Sequence, residues 1–169
     1  MNYNRRQRKK CAEVNEGPDP QKAIRKAMNL LLYRPRSEME LQDKLREAGF
    51  EDESVSHAMS YVRSFGYLND RRFAENYVLT YQHKKSRMVL KMDLRAKGVD
   101  EIYIENALEA IPVDEKQIMM ELLLKKSGHP HRLDDKEYRR CSAFLARKGY
   151  AVSDIAQVIR SYQEMSEEE

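Results

Sequence analysis

The sequence contains no tryptophan, and aromatic residues make up only 8% of its 169 positions, while charged residues make up 35%. That balance favours helices with narrow apolar stripes over a thick sandwich core. Six glycines and five prolines leave too few tight turns for an all-β fold. Two cysteines, Cys11 and Cys141, lie far apart, which excludes a disulfide framework and a Cys-x-x-Cys metal motif. No apolar stretch approaches the roughly 20 residues needed to span a bilayer. The basic start runs into Cys11-Ala12-Glu13-Val14-Asn15-Glu16 rather than the apolar segment of a signal peptide. These absences predict a soluble, cytoplasmic protein with no membrane association. Nor is there a Ser-His-Asp set, a Walker loop or a GxGxxG turn. His129 and His131 flank Pro130, but two ligands do not close a zinc site. We therefore expect no catalytic residue, metal or cofactor: a binding protein, not an enzyme.

The net charge is only +3, but it is unevenly spread. Arg5, Arg6, Arg8, Lys9 and Lys10 crowd the start without an acid, and Glu164, Glu167, Glu168 and Glu169 crowd the end without a base. Residues 1–17 and 164–169 are expected to be solvated tails, the first basic and flexible, the second acidic.

Between the tails lies a repeat, visible when Gly49, Gly98 and Gly149 are superposed. Each precedes a large apolar residue: Phe50, Val99 and Tyr150. Eight and four positions before the glycines stand Leu41 and Leu45, Leu90 and Leu94, Cys141 and Leu145. Apolar residues also recur at fixed distances after them: Val55, Met59 and Val62; Ile104, Leu108 and Ile111; Ile155, Ile159 and Tyr162. These spacings place one stripe on a helix before each glycine and another on a helix after it. The glycine reads as a left-handed helix cap closed by the next apolar residue, where a Cβ would cost about 1 kcal/mol or more. Cys141 takes the place of a leucine and is read as a small buried hydrophobe.

A further helix precedes each pair, over roughly Gln21–Tyr33, Asp70–Lys84 and Asp114–Ser127. The predicted architecture is all-α: three tandem three-helix repeats, over 18–68, 69–113 and 114–163, forming an elongated, curved body. Units of this size are expected to share interfaces rather than bury a full core each. Ser37-Glu38-Met39-Glu40 reads as a capping box, Ser86 holds the matching position in the second copy, and Asp134 or Asp135 caps the third.

The basic residues suggest a binding face. Arg87, Lys91 and Arg95 are spaced by four and form one stripe; Lys84, Lys85 and Lys97 lie near its ends, and Asp93 is the one acid between 84 and 97. Arg71 and Arg72 open the preceding helix. Lys125, Lys126, Arg132, Arg139 and Arg140 form a second group in the third unit. So few local acids point to a polyanionic partner. No aromatics interleave with the stripe, so a base-stacking platform is not indicated.

Several segments resemble the RecX family of bacterial regulators of the RecA recombinase. They are Arg36-Ser37-Glu38-Met39-Glu40-Leu41, Lys44-Leu45, and Phe65-Gly66-Tyr67-Leu68-Asn69-Asp70-Arg71-Arg72-Phe73-Ala74, followed by Leu94–Val99 and Phe144–Tyr150. The likeness extends over about residues 21–162. One departure is Ser86 after Lys85, where the family often has glycine. The resemblance implies tandem three-helix repeats, no catalysis, and binding along the groove of a RecA filament on DNA. It also implies damping of recombination, of RecA ATP hydrolysis and of the SOS response. The partner so implied is the RecA filament, with DNA itself a second candidate, and the chain is expected to act as a monomer. The alternative is a helix-turn-helix DNA-binding protein acting without RecA; against it, the helices after the first two glycines are acidic or neutral.

Overall fold

The computed structural model describes residues 19–166. The expectations for the basic segment 1–17 and for Glu167, Glu168 and Glu169 lie outside the described residues. Those described form nine helices and no strand: α1 Pro20–Tyr33, α2 Glu38–Glu47, α3 Asp52–Ser64, α4 Asp70–Tyr81, α5 Arg87–Ala96, α6 Glu101–Ala110, α7 Glu115–Ser127, α8 Asp135–Arg147 and α9 Val152–Glu164. They group in threes along the chain. In each unit the first and third helices pack along one another and the second packs against both.

Local chemistry sets the helix ends. Asp19 caps α1 with its carboxylate on the Lys22 N–H at 2.9 Å, and Pro20 occupies the first turn, where a missing N–H is harmless. Helix α1 stops because Arg34 precedes Pro35, which forces extended backbone on the residue before it. Ile111, before Pro112, ends α6 early for the same reason. Gly49, Gly98 and Gly149 all have positive φ, at 87°, 72° and 86°. After each, the apolar residue donates its N–H back to the leucine carbonyl five positions earlier: Phe50 to Leu45, Val99 to Leu94 and Tyr150 to Leu145. The glycine donates to the carbonyl between, which completes a Schellman motif. Gly66 makes a fourth, with Tyr67 donating to Val62.

Two boundaries differ from expectation. Helix α4 ends at Tyr81 rather than Lys84, because the N–H groups of Lys84 and Lys85 both turn back onto the Tyr81 carbonyl. At α2 the capping box is half formed. The Ser37 hydroxyl accepts from the Glu40 N–H at 3.2 Å, but the Glu40 carboxylate turns away to Lys97 at 2.7 Å. The complete box is at α8, between Asp134 and Glu137.

The apolar residues of the repeat are buried at every matched position except Phe50 and Ile111, which are half-buried. They do not form one shared core. Each unit has its own cluster: Ala23–Leu68 around Leu41 and Leu45, Phe73–Leu108 around Leu90 and Leu94, and Ile118–Tyr162 around Leu145 and Ile159. The expectation that the units bury their cores jointly is therefore corrected. Three helices crossing in one unit already enclose its leucines, so a neighbour is not needed to keep them dry.

Polar joints connect the units instead, and the two joints follow one plan. The Ser37 hydroxyl at the start of α2 donates to the Lys97 carbonyl at the end of α5, at 2.6 Å. The Ser86 N–H at the start of α5 donates to the Lys148 carbonyl at the end of α8, at 3.2 Å. The first helical N–H of α2, on Glu38, reaches the Asp70 carboxylate at 2.8 Å, and that of α5, on Arg87, reaches Glu115 at 2.7 Å. Both acids open the first helix of the next unit. Each joint thus sets a serine cap (by its hydroxyl at Ser37, by its N–H at Ser86) on a carbonyl of the following unit, and an orphan helical N–H on a carboxylate of that unit. Among the described hydrogen bonds and ion pairs, none links the first unit to the third.

Candidate binding face

Helix α5 carries the predicted stripe beside the buried Leu90 and Leu94, on the side that faces α6. Arg95 forms a two-pronged bond with Glu101, at 2.8 and 2.6 Å. Lys91 pairs with Glu101 at 2.8 Å and also with Glu105. The Arg87 guanidinium donates to the Leu108 carbonyl at 2.7 Å. The stripe therefore fastens α5 to α6, and the view that few acids offset it is corrected. The acids come from the next helix, four residues apart on its facing side, rather than from α5 itself. Hydrogen bonds from Arg95 and then Lys91 hold the Glu101 carboxyl down to about 2, and Glu101 in turn raises both bases above their ordinary values.

The bases at the near end are also engaged. Lys85 pairs with Asp93 at 2.5 Å and donates to the Tyr77 hydroxyl at 3.2 Å, and its pKa is raised, chiefly by the Asp93 bond. It lies 5.1 Å from the centre of the Tyr81 ring, while Lys84 stands over the same ring and Lys97 over Tyr77. Rings and bases do meet here, although the stripe holds no aromatic residue. They come from α4, where Phe73, Tyr77 and Tyr81 follow one another at 6.1 and 4.6 Å. The four-residue spacing of those rings was the signal available in the sequence.

The remaining candidates are more open. Arg71 pairs with Glu75 at 3.1 Å. Arg72 is exposed and borders a cavity of about 300 Å³ between the α1–α2 linker and the start of α4. Lys125 and Lys126 occupy the last turn of α7, where positive charge suits the helix dipole, and Lys126 lies 4.6 Å over Phe144. Arg139 and Arg140 are exposed on α8. Among the described residues, Arg72, Lys125, Arg139 and Arg140 have no ion-pair partner. The structure thus separates the bases into a neutralised seam in the middle unit and open charges at the α4 start and on the third unit. No helix among the described residues is long and apolar enough to cross a membrane.

Comparison with known proteins agrees with this architecture. Family models for the first, second and third three-helix domains of RecX match residues 23–61, 69–108 and 114–159, in that order. A relative in Amycolatopsis mediterranei named Regulatory protein RecX is 34% identical over 155 residues, covering 85% of this chain and 89% of that one. One of the same name in Streptomyces lividans is 32% identical, covering 88% and 82%. Against the relative from Bacillus velezensis, at 35% identity, the chain spans only about half of that protein's length, 54%. The crystal structure of RecX from Lactobacillus salivarius superposes with a TM-score of 0.68 at 25% identity, over 85% of this chain and 96% of that one. With three domains matched in order and a relative 34% identical covered over 89% of its length, the chain belongs to the RecX family.

Proposed function

We propose that this chain is a regulatory protein that binds RecA along the groove of the RecA–DNA filament and mainly inhibits its recombinase, ATPase and SOS co-protease activities. The observation that carries the reading is the repeated joint: Ser37 on Lys97, then Ser86 on Lys148. Units joined in series at matching helix ends, each with a serine on a carbonyl and a helical N–H on an acid of the next unit, present a row of similar surfaces, which suits a partner that itself repeats. The relatives' name supports regulation, and the family resemblance supplies RecA. The reading is one of binding, without catalysis.

The open bases Arg72, Lys125, Arg139 and Arg140 are the first candidates to meet an anionic partner. Lys91 and Arg95 meet one only by exchanging Glu101 and Glu105 for it, and Arg87 by leaving the Leu108 carbonyl. The alternative, a DNA-binding protein acting without RecA, fits less well. Its reading helix in the second unit would be α6, which carries Glu101, Glu105 and Glu109 and, of the base-reading types Arg, Asn and Gln, only Asn106.

The test is RecA ATP hydrolysis on single-stranded DNA, titrated with this chain at two salt concentrations, together with its binding to RecA-coated and naked DNA. The expected result is inhibition and preferential binding to coated DNA, with Arg139→Ala/Arg140→Ala weakening both. If those two arginines meet phosphates, the slope of log K against log salt falls by roughly 1.4–1.8. Equal binding to coated and naked DNA, with no inhibition, would overturn the reading in favour of the alternative.

A further inference from the structure

Arg36 lies between Pro35 and the α2 cap, and only 8% of it is exposed. Its guanidinium has no hydrogen-bond or ion-pair partner; Nε and Nη1 are enclosed without an acceptor. Among the described residues no other charged side chain is buried as a whole; the other enclosed polar atoms without a partner are single oxygens, of Glu40, Ser54, Ser142 and Tyr150. Arginine cannot shed its proton, so the charge stays inside the fold. An enclosed cation without an anion is destabilising, and folds keep one where something outside completes it.

The surroundings say what completes it. Arg36 lines the cavity of about 300 Å³ that Arg72 borders, with Asn69 and Asn76 as further polar groups. Leu31, Phe73 and Tyr67 give it apolar walls, and no carboxylate lines it. Two arginine side chains around one cavity, without an acid, make an anion site, and a carboxylate is a fitting partner for a guanidinium. The apolar walls suit the methylene stem of an acidic side chain.

Beside the cavity is a cluster of exposed rings. Tyr67 stacks on Phe65 at 6.0 Å, and Phe65 meets Tyr61 at 4.7 Å; the three are 53%, 59% and 38% exposed. Grouped exposed aromatics beside an arginine are the composition of protein-contact anchors.

We propose that this cavity is a binding site for a carboxylate side chain, Asp or Glu, presented by a protein partner, with Arg36 as its deep ligand and Arg72 at its mouth. It deepens the reading of this chain as a binder of a protein filament and rests on that reading only in that the partner is a protein.

The experiment uses the full chain with four probes: a blocked hexaglutamate peptide, its glutamine counterpart, a thymidine oligonucleotide and inorganic phosphate. The Arg36 side-chain Nε–H signal is followed by NMR, and affinity is read from the anisotropy of a labelled glutamate peptide. The glutamate peptide is expected to shift the Arg36 signal to saturation and the glutamine peptide to leave it in place. Arg36→Met and Arg72→Gln are each expected to weaken the peptide at least about tenfold, with Arg25→Gln on α1 without effect. Arg36→Met removes a charge but keeps the bulk, so its thermal midpoint should equal or exceed that of the parent.

Oligonucleotide or phosphate saturating Arg36 at lower concentration than the peptide would overturn the proposal in favour of a phosphate site. A fall in the Arg36→Met midpoint, with peptide binding untouched in Arg72→Gln, would overturn it in favour of a structural arginine. No shift with any probe would remove the site. If RecA-coated DNA fails to bind while the glutamate peptide still saturates Arg36, the pocket stands and the identity of the partner falls.

Discussion

Gly98 bears on both a helix end and a joint between units, and Gly98→Ala tests the two together. With φ at 72°, any side chain there costs about 1–2 kcal/mol. A Cβ would also sit 2.6 Å from both Cβ and Sδ of Met39, in the first turn of α2. The Met39 sulfur can swing aside, but its Cβ moves only with the backbone, so α2 must shift as a whole. Overpacking of that kind costs about 1–3 kcal/mol. Gly66 is the internal control: φ is 68°, and nothing lies within 4 Å of an added Cβ. Gly66→Ala should therefore lose about 1–2 kcal/mol and Gly98→Ala about 2–5 kcal/mol in urea unfolding. Because each unit has its own core, the first unit can also undock to avoid the clash. In that case the extra loss is capped, and small-angle scattering shows a larger radius of gyration for Gly98→Ala alone. Adding Met39→Gly should restore most of the difference, whereas Met39→Ala should not, since it keeps the offending Cβ. Equal stability and equal dimensions for Gly98→Ala and Gly66→Ala would refute the joint as described.

Two further predictions concern the seam and the caps. The Glu101 carboxyl is held at about 2 against an ordinary 4.5, so its contribution is complete above 4.5 and is lost as pH falls towards 2. Glu101→Gln should lower the urea midpoint at neutral pH and flatten its decline across that window; parallel curves for the two proteins would show that the pair contributes nothing. Ser37→Ala removes both the cap on Glu40 and the bond to Lys97, and should cost about 1–2 kcal/mol and loosen the first joint. Asp134→Ala loses a cap without a joint, so scattering should register only the first of these variants.

Most of the fold was legible because helix periodicity and caps are local. The leucines and glycines of the repeat specify each unit's second helix, its left-handed stop and the stripe that follows. Prolines 35 and 112 mark helix ends by a rule that needs only the next residue. What stayed hidden depends on approach between distant segments. Counting charges from 84 to 97 left out Glu101 and Glu105, which are close in space only because α6 folds back along α5. Searching for rings within the stripe missed Tyr77 and Tyr81, delivered by the helix before it. Arg36 read as one residue of a familiar segment, since burial without a partner is a property of the packed chain.

The joints also explain why the second helix of the third unit begins differently from the other two. In α2 and α5 the cap is a serine, a small residue with a hydroxyl and N–H to spare for the following unit, and the first free N–H is satisfied by that unit's Asp70 or Glu115. Helix dipoles meet there with opposite ends together: the negative end of α5 abuts the positive start of α2, and that of α8 the start of α5. Glycine in place of Ser86 would keep the backbone bond to Lys148 but lose the hydroxyl that caps Val89, which is why serine serves at this joint. In α8 the position matching Ser37 and Ser86 is Glu137, and the helix starts earlier, at Asp135. Its N-terminus is closed from within: Asp134 accepts from the Glu137 N–H at 2.7 Å, and Glu137 accepts from the Asp134 N–H at 3.2 Å. A helix end that meets another unit uses serine and leaves donors open; one that does not uses two acids and keeps its donors for itself. The same twelve-residue offset from the glycine thus carries either the serine of a joint or the Glu137 half of a self-contained cap.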